Sequence, residues 1–375
     1  MWAFYVHLVG VVAALANVVF WFAAARKLLP ALARARAIEP REGNSTSRAE
    51  PVSVVVAVRD GARLLPPLLD ALLAQRYPDF EVVVCDDVST DDTWAVLQAY
   101  RARDGRLRAT RLSTKAAPGK KRALARAIAH ARHDWLLATD ADCRPDSPHW
   151  LAATMASRRA NTQLVLGYSP YRRVPGRLNA WIRWEAVYTA AQYFSAALWG
   201  RPYMGVGRNL LYARGLYDGV GGFTEHEHLA GGDDDLLVSA AADADNCACS
   251  LTPASWVTSE PATSWTQYRR QKRRHVSVGH AYRAGDKLWL GALALTHVIL
   301  YASAVALCVL GYWAAGVVAL VVRWGLLWWP VRSLLRALGQ PDLARWWPLL
   351  DAGLAVYYVA FAAPAVLPKG HSDKW

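Results

Sequence analysis

The chain has 375 residues, 54% of them hydrophobic, with 18 tryptophans and a formal charge of +13. That length holds one large domain and further elements, and the apolar excess is gathered at the two ends, as in a membrane protein rather than a soluble one. The basic residues flank apolar runs and no nucleic-acid module is recognisable, which argues against nucleic acid and for lipid headgroups and a nucleotide as partners.

Trp2 to Ala25 is almost wholly apolar and long enough to span a bilayer at ~20 residues. No basic residue precedes it and no cleavage pattern follows, so residues 1–26 are expected as a retained transmembrane helix. Arg26, Lys27, Arg34 and Arg36 place its far end in the cytoplasm. Residues 27–50 are expected as a basic, then polar, linker.

Val52–Val58 is a β-branched run of the kind found in a buried parallel strand. Asp60 lies in the loop after it. Leucines at helical spacing run from Leu64 to Leu73, and Phe80–Cys85 forms a second buried strand ending on Asp86 and Asp87. Ser89–Thr90–Asp91–Asp92 caps the next helix. Leu136 and Leu137 begin a short buried strand that stops on Asp140 and Asp142. In a strand, positions i and i+2 share a side, and two carboxylates there make a hard-oxygen site suited to Mg²⁺ or Mn²⁺ holding a diphosphate. Taken alone, Asp-x-Asp is usually a solvated turn. The rhythm predicts a doubly wound, mostly parallel α/β sheet whose strand ends gather these acids in one crevice.

Pro118–Gly119–Lys120–Lys121–Arg122 precedes a helix, where a diphosphate is welcome; an ordinary basic helix start reads the same way. Trp181, Trp184 and Tyr188 repeat at helical spacing, as an interfacial stripe or a core-facing one. Gly205-x-Gly207–Arg208–Asn209 is a flexible loop able to approach a substrate. His226 and His228 lack a third metal ligand. Asp233, Asp234 and Asp235 follow a glycine pair and open an apolar helix. One acid there is explained by the helix dipole; three suggest a site, with a general base among them. The five cysteines show no zinc spacing and read as reduced thiols.

Gln271–Lys272–Arg273–Arg274–His275 lies on a basic helix that suits anionic lipid. Residues 51–286 are therefore expected as a cytoplasmic domain with interfacial helices. Residues 287–375 carry about three further spans, near Leu288–Leu310, Tyr312–Val331 and Trp347–Leu367. Arg332, Arg336 and Arg345 keep the last loop inside. Arg323 falls within a span, which is costly unless it is paired or snorkels.

In order, VSVVVAVRD, FEVVVCDDVSTDDT, PGKKRALARAI, LLATDADCRP, VGGF, GGDDDLL and QKRRH resemble the membrane-bound family 2 glycosyltransferases of the glucosylceramide, cellulose, hyaluronan and chitin synthase type. The resemblance covers roughly Val52 to His275 and implies a GT-A fold that binds a UDP-sugar. It implies that Asp86 or Asp87 holds uracil or ribose, with Asp60 near the nucleotide, and that Lys120 meets the diphosphate. Asp140 would contact the nucleotide sugar and join Asp142 at the metal. Asp234 would be the base, or Asp233 if the match shifts by one, with Asp235 beside them. Gln271, Arg273 and Arg274 would close over the diphosphate and acceptor, and Asn209 and His275 are the candidate acceptor contacts.

Three departures stand out. Ala57–Val58–Arg59–Asp60 replaces Pro-x-Arg-Asn, His275 replaces a Trp at the acceptor site, and the membrane part is small for a polymer channel. Transfer of a single sugar to a lipid at the cytoplasmic leaflet, in a bacterial inner membrane, is expected. A processive polysaccharide synthase and a non-catalytic nucleotide-sugar-binding protein are the alternatives.

Overall fold

The structure is a computed structural model that describes residues 1–37, 49–114 and 119–366. Most of the expected polar linker, Pro118 and the end of the expected last span lie outside these residues. The chain forms two compact units that interleave along the sequence. One takes Met1–Ala31, Arg173–Ser195 and the chain from Ser264; the other takes Leu32–Arg172 and Ala196–Thr263.

The helices in chain order are α1 (Trp2–Ala37), α2 (Leu65–Leu73), α3 (Thr93–Arg103), α4 (Gly119–His130), α5 (Trp150–Met155), α6 (Arg177–Leu198), α7 (Arg214–Gly219), α8 (Asp235–Ala241), α9 (Trp265–Val276), α10 (Ala284–Val309), α11 (Trp313–Ala337) and α12 (Trp347–Val366). The strands are β1 (Val52–Val58), β2 (Phe80–Asp86), β3 (Leu107–Arg111), β4 (Trp135–Ala138), β5 (Cys143–Pro145), β6 (Leu164–Gly167), β7 (Leu210–Ala213), β8 (Cys247–Ser250) and β9 (Val257–Ser259).

The α/β unit is built on a seven-stranded sheet in the order β3-β2-β1-β4-β7-β6-β8. β1 pairs in parallel with β2 and with β4, β2 with β3, and β6 with β8, whereas β7 runs antiparallel to β4 and β6. β1 and β2 are buried along their whole length, because both faces of a parallel sheet are covered, which favours the valine runs that fill most of both strands. α2 buries Leu65, Leu68, Leu69 and Leu72, the one-sided spacing of a helix laid on a sheet. Val58 lies opposite Asp86 and Val55 opposite Ala138. The carboxyl ends of β1, β2 and β4 therefore share one edge, at the point where the strand order reverses about β1.

One expectation is corrected here. The strand before the Asp-x-Asp pair ends at Ala138, and residues 139–142 form a turn closed by Cys143 N donating to the Asp140 carbonyl at 3.1 Å. The two carboxylates thus converge through a turn, not through strand alternation. Cys143–Pro145 then forms β5, paired antiparallel with β9 in a second small sheet.

In the helical unit, α1, α10 and α11 are long and apolar enough to cross a membrane. The apolar part of α12 runs over the 15 described residues Trp347–Phe361. α1 continues through Pro30 to Ala37, so Arg26, Lys27, Arg34 and Arg36 extend the helix itself. The aromatic stripe of α6 faces protein: Trp181, Trp184 and Tyr188 are buried, Trp184 stacks on Trp21 at 6.0 Å, and Trp181 lies 6.0 Å from Tyr357. Arg323 finds its partner in Asp351, at 2.6 Å, with Asp351 also accepting from Tyr301. His297 lies 3.0 Å from Asn17 Oδ1 and 2.8 Å from the Asp351 carbonyl. A buried charge in apolar surroundings is tolerated when paired and hydrogen-bonded in this way.

Candidate active site

The site is assembled at the carboxyl edge of the sheet in the α/β unit. Asp86, wholly buried at the end of β2, accepts from Ser89 N at 2.9 Å and faces Arg111 Nε at 2.9 Å. Its neighbour Asp87 lies 3.8 Å from Arg59. Gly119 opens α4 directly against Asp87: a Cβ there would come within 2.0 Å of Asp87 Oδ2. Only glycine permits that approach.

Lys120 reaches in the other direction. Its amine lies 3.0 Å from Asp140 and 2.7 Å from Asp233. Three separate stretches, the start of α4, the turn after β4 and the acidic start of α8, are thus joined by one lysine. Burial, and then the charge of Asp140, push the Asp142 carboxyl above its usual range. The turn is held by Thr139 Oγ1 donating to the Arg208 carbonyl at 2.9 Å and by Glu260 N donating to the Asp142 carbonyl at 3.0 Å.

Asp234 caps α8. Its Oδ1 accepts from Asp235 N at 2.8 Å and its Oδ2 from Gly207 N at 2.7 Å, so its orientation is fixed by backbone donors. Burial, and then Asp233, push its pKa up. Asp235 is buried and accepts from Leu236 N at 2.9 Å.

Not every expected residue belongs to this cluster. Asp60 sits at φ +49° and accepts from Thr90 N at 2.7 Å and from Thr90 Oγ1; the Thr90 N–H holds its carboxyl below the usual range. It ties the β1 loop to the β2 loop. Asn209, expected as an acceptor contact, is fully buried. Its Oδ1 accepts from Trp150 Nε1 and its amide donates to the carbonyls of Tyr168 and Ser255. Both ends of the amide are engaged in the core, which leaves nothing to meet an acceptor. Gln271, Arg273, Arg274 and His275 lie on α9 of the helical unit. There Tyr268 and Lys272 anchor the helix on Glu185 of α6.

Two basic residues from stretches noted in the sequence, though given no role of their own there, also lie near the site. Arg208 lies 4.4 Å over the Tyr171 ring, and its Nη1 is buried without a hydrogen-bond partner among the described residues. Burial alone would lower its pKa, but Tyr171, Cys143, Asp142 and Asp140 raise it overall. Only the flanking glycines signalled that loop. Lys121 is buried with its amine on the His226 carbonyl, and burial lowers its pKa. A basic cleft of about 710 Å³ opens on the other face of α4, lined by Arg111, Lys121, Arg122, Arg126, Tyr217 and Phe223. It includes none of Asp140, Asp142 and Asp234.

Among the described residues no three carboxylate, imidazole or thiol groups converge as a metal cage. Asp140 and Asp142 do fit a hexacoordinate divalent ion of the Mg²⁺ type, which takes one or two carboxylates and completes its shell with phosphates and water. Burial first, and then the neighbouring charge of Asp140, raise the Asp142 pKa, and a cation held between the two carboxylates would offset both.

Residues 53–220 match the family model for glycosyl transferase family 2. Over 93 residues the chain is 36% identical to the poly(ribitol-phosphate) beta-N-acetylglucosaminyltransferase TarS of Staphylococcus aureus, covering 24% of this chain and 16% of TarS. Over 58 residues it is 33% identical to the UDP-Glc:alpha-D-GlcNAc-diphosphoundecaprenol beta-1,3-glucosyltransferase WfaP of Escherichia coli, covering 16% of this chain and 22% of that protein. The chain thus spans less than a quarter of either relative. The mannosyltransferase PcManGT from Pyrobaculum calidifontis, solved in complex with GDP-Man and Mn²⁺, is similar in fold. Its TM-score is 0.56 at 20% identity, over 94% of this chain and 99% of that one. The GT-A-like sheet and the carboxylates gathered at its edge agree with the match of residues 53–220 to glycosyl transferase family 2, in a chain that also carries membrane-length apolar helices.

Proposed function

We propose that this protein is an inverting glycosyltransferase that moves one sugar from a UDP-sugar to a membrane-embedded lipid at the cytoplasmic leaflet of a bacterial inner membrane. The observation that carries the reading is Lys120, whose amine joins Asp140 to Asp233. It gathers the diphosphate lysine, the Asp-x-Asp pair and the acidic helix start at one point. The name of WfaP pairs a UDP-sugar with a diphosphoundecaprenol-linked acceptor, and three apolar helices of spanning length supply a place for such a lipid.

In this reading Asp86 and Asp87 hold the nucleoside, as buried acceptors flanked by Arg111 and Arg59. Lys120 moves from its carboxylates onto the diphosphate, where a charged hydrogen bond is worth more than a neutral one. Arg208 counters the charge of the Asp-x-Asp turn. Asp234, oriented by Gly207 N and Asp235 N, takes the proton of the attacking hydroxyl; Asp233 is the second candidate. Asp142 with Asp140 would hold Mg²⁺ or Mn²⁺, which when bound supplies positive charge against the leaving diphosphate. Gln271, Arg273 and Arg274 are assigned to the diphosphate and acceptor, and His275 to the acceptor.

The test is the product. Detergent-purified protein given a labelled UDP-sugar and total host lipid should yield a single organic-soluble species one sugar heavier than its acceptor. Asp142→Asn should abolish it while leaving thermal unfolding intact. A ladder of products from UDP-sugar alone would favour a processive synthase and overturn the single-transfer reading.

A further inference from the structure

Helix α11 carries the sequence of depths of a bilayer leaflet. Its exposed positions Val317, Val318, Val321, Val322 and Leu326 are apolar, Trp328 and Trp329 follow, and then Arg332 and Arg336. At ~1.5 Å per residue, Arg332 lies ~28 Å along the axis from Trp313, close to the ~30 Å hydrocarbon thickness. Apolar, then aromatic, then basic is the order met on leaving hydrocarbon for headgroups. The chain turns at this level through a short 3-10 segment, Pro341–Arg345, and re-enters α12 past an exposed Trp346.

A pocket of about 400 Å³ opens here, with Arg173, Trp328, Arg332, Arg336, Asp342 and Arg345 in its lining. Four guanidinium groups share it with one carboxylate, and that carboxylate is engaged: Asp342 lies 2.6 Å from Arg183 and 3.5 Å from Arg173. Arg332 sits 5.7 Å over the Trp328 ring and Arg345 5.5 Å over Trp346. Each indole faces one guanidinium group, and the shared pocket carries a surplus of positive charge that an anion would offset. The guanidinium fork matches phosphate oxygens in a paired geometry. At headgroup depth the phosphate in reach is that of a phospholipid.

We infer that this pocket binds the phosphate of an anionic phospholipid, whose chains lie along Trp328 and the exposed valines of α11. The inference does not rest on the catalytic reading, since every residue in it belongs to the helical unit.

Native mass spectrometry of the full chain in detergent, titrated with phosphatidylglycerol or phosphatidylcholine, tests it. Phosphatidylglycerol should be retained at concentrations about tenfold lower than phosphatidylcholine. The double variant Arg332→Gln/Arg345→Gln should lose that preference, Arg332→Lys/Arg345→Lys should keep part of it, and Arg101→Gln/Arg103→Gln on α3 should leave it unchanged. Millimolar inorganic phosphate should not displace the lipid. Equal retention of the two lipids, an unchanged preference in the glutamine variant, a full loss in the α3 variant, or displacement by inorganic phosphate would each overturn the inference. The lysine variant separates lost charge from a lost fold.

Discussion

Asp234 is held by two backbone donors while burial and the adjacent Asp233 push its pKa upward. As a base it works only when ionised, so the rate should rise with pH through a midpoint above the ordinary carboxylate range of ~3.9. Asp233→Asn removes the like charge and should move that acid limb of kcat/KM to lower pH. An unmoved limb would assign the titration to another group. Asp234→Asn should remove turnover altogether, by about a hundredfold or more for a lost general base. Gly119→Ala forces a methyl into the Asp87 carboxylate, and nucleotide affinity measured by calorimetry should fall while the α/β fold survives. These acids were legible in the sequence because each stands where an apolar run ends, as Asp87 does, or begins, as Asp233 and Asp234 do. Arg208 was not, since a lone arginine after a glycine carries no spacing signal; its place over Tyr171 comes from tertiary structure.

At the scale of elements, β1 and β2 could be read directly, because burial on both faces favours the long valine-rich runs they carry. The strands β4 to β9 have three or four residues each, too few for alternation to show. The antiparallel insertion of β7 between β4 and β6 was hidden for that reason. So was the turn that carries Asp140 and Asp142. Glu81 shows what holds the sheet edge away from the site. Burial would raise its pKa, but bonds from Arg132 N, Ser53 and Arg108 outweigh it and hold the carboxyl below its usual value. A carboxylate depressed in the folded state stabilises above its unfolded pKa of ~4.3 and loses that contribution as pH falls through the folded value. Glu81→Gln should therefore lower the melting temperature at neutral pH, by about 1–3 kcal/mol of stability, and should cost least in acid. Equal losses at both pH values would show that the charge is not what matters.

For the whole molecule, the membrane helices were legible from hydropathy alone, whereas their closure was not. The cost of Arg323 within a span could be foreseen; its partner Asp351 stands on the next helix, and only the packing of α10, α11 and α12 brings Tyr301 onto the same carboxylate and His297 onto the Asp351 carbonyl. Asp351→Asn leaves a buried guanidinium without its counter-charge and should cost about 3–5 kcal/mol in detergent unfolding. Asp351→Leu combined with Arg323→Met should recover much of the loss, because neither charge then remains buried. Recovery failing in the double variant would mean that the pair contributes more than charge balance.

The central claim is that the cluster around Lys120 transfers sugar from a UDP-sugar to lipid. UDP release by the purified full chain tests it most directly, measured with UDP-glucose, UDP-galactose and UDP-N-acetylglucosamine, with and without host lipid extract, for the wild type and Asp234→Asn. The account predicts release from at least one donor that is stimulated by lipid, abolished by a chelator and absent in Asp234→Asn. Release that is unaffected by lipid and persists in Asp234→Asn would contradict it.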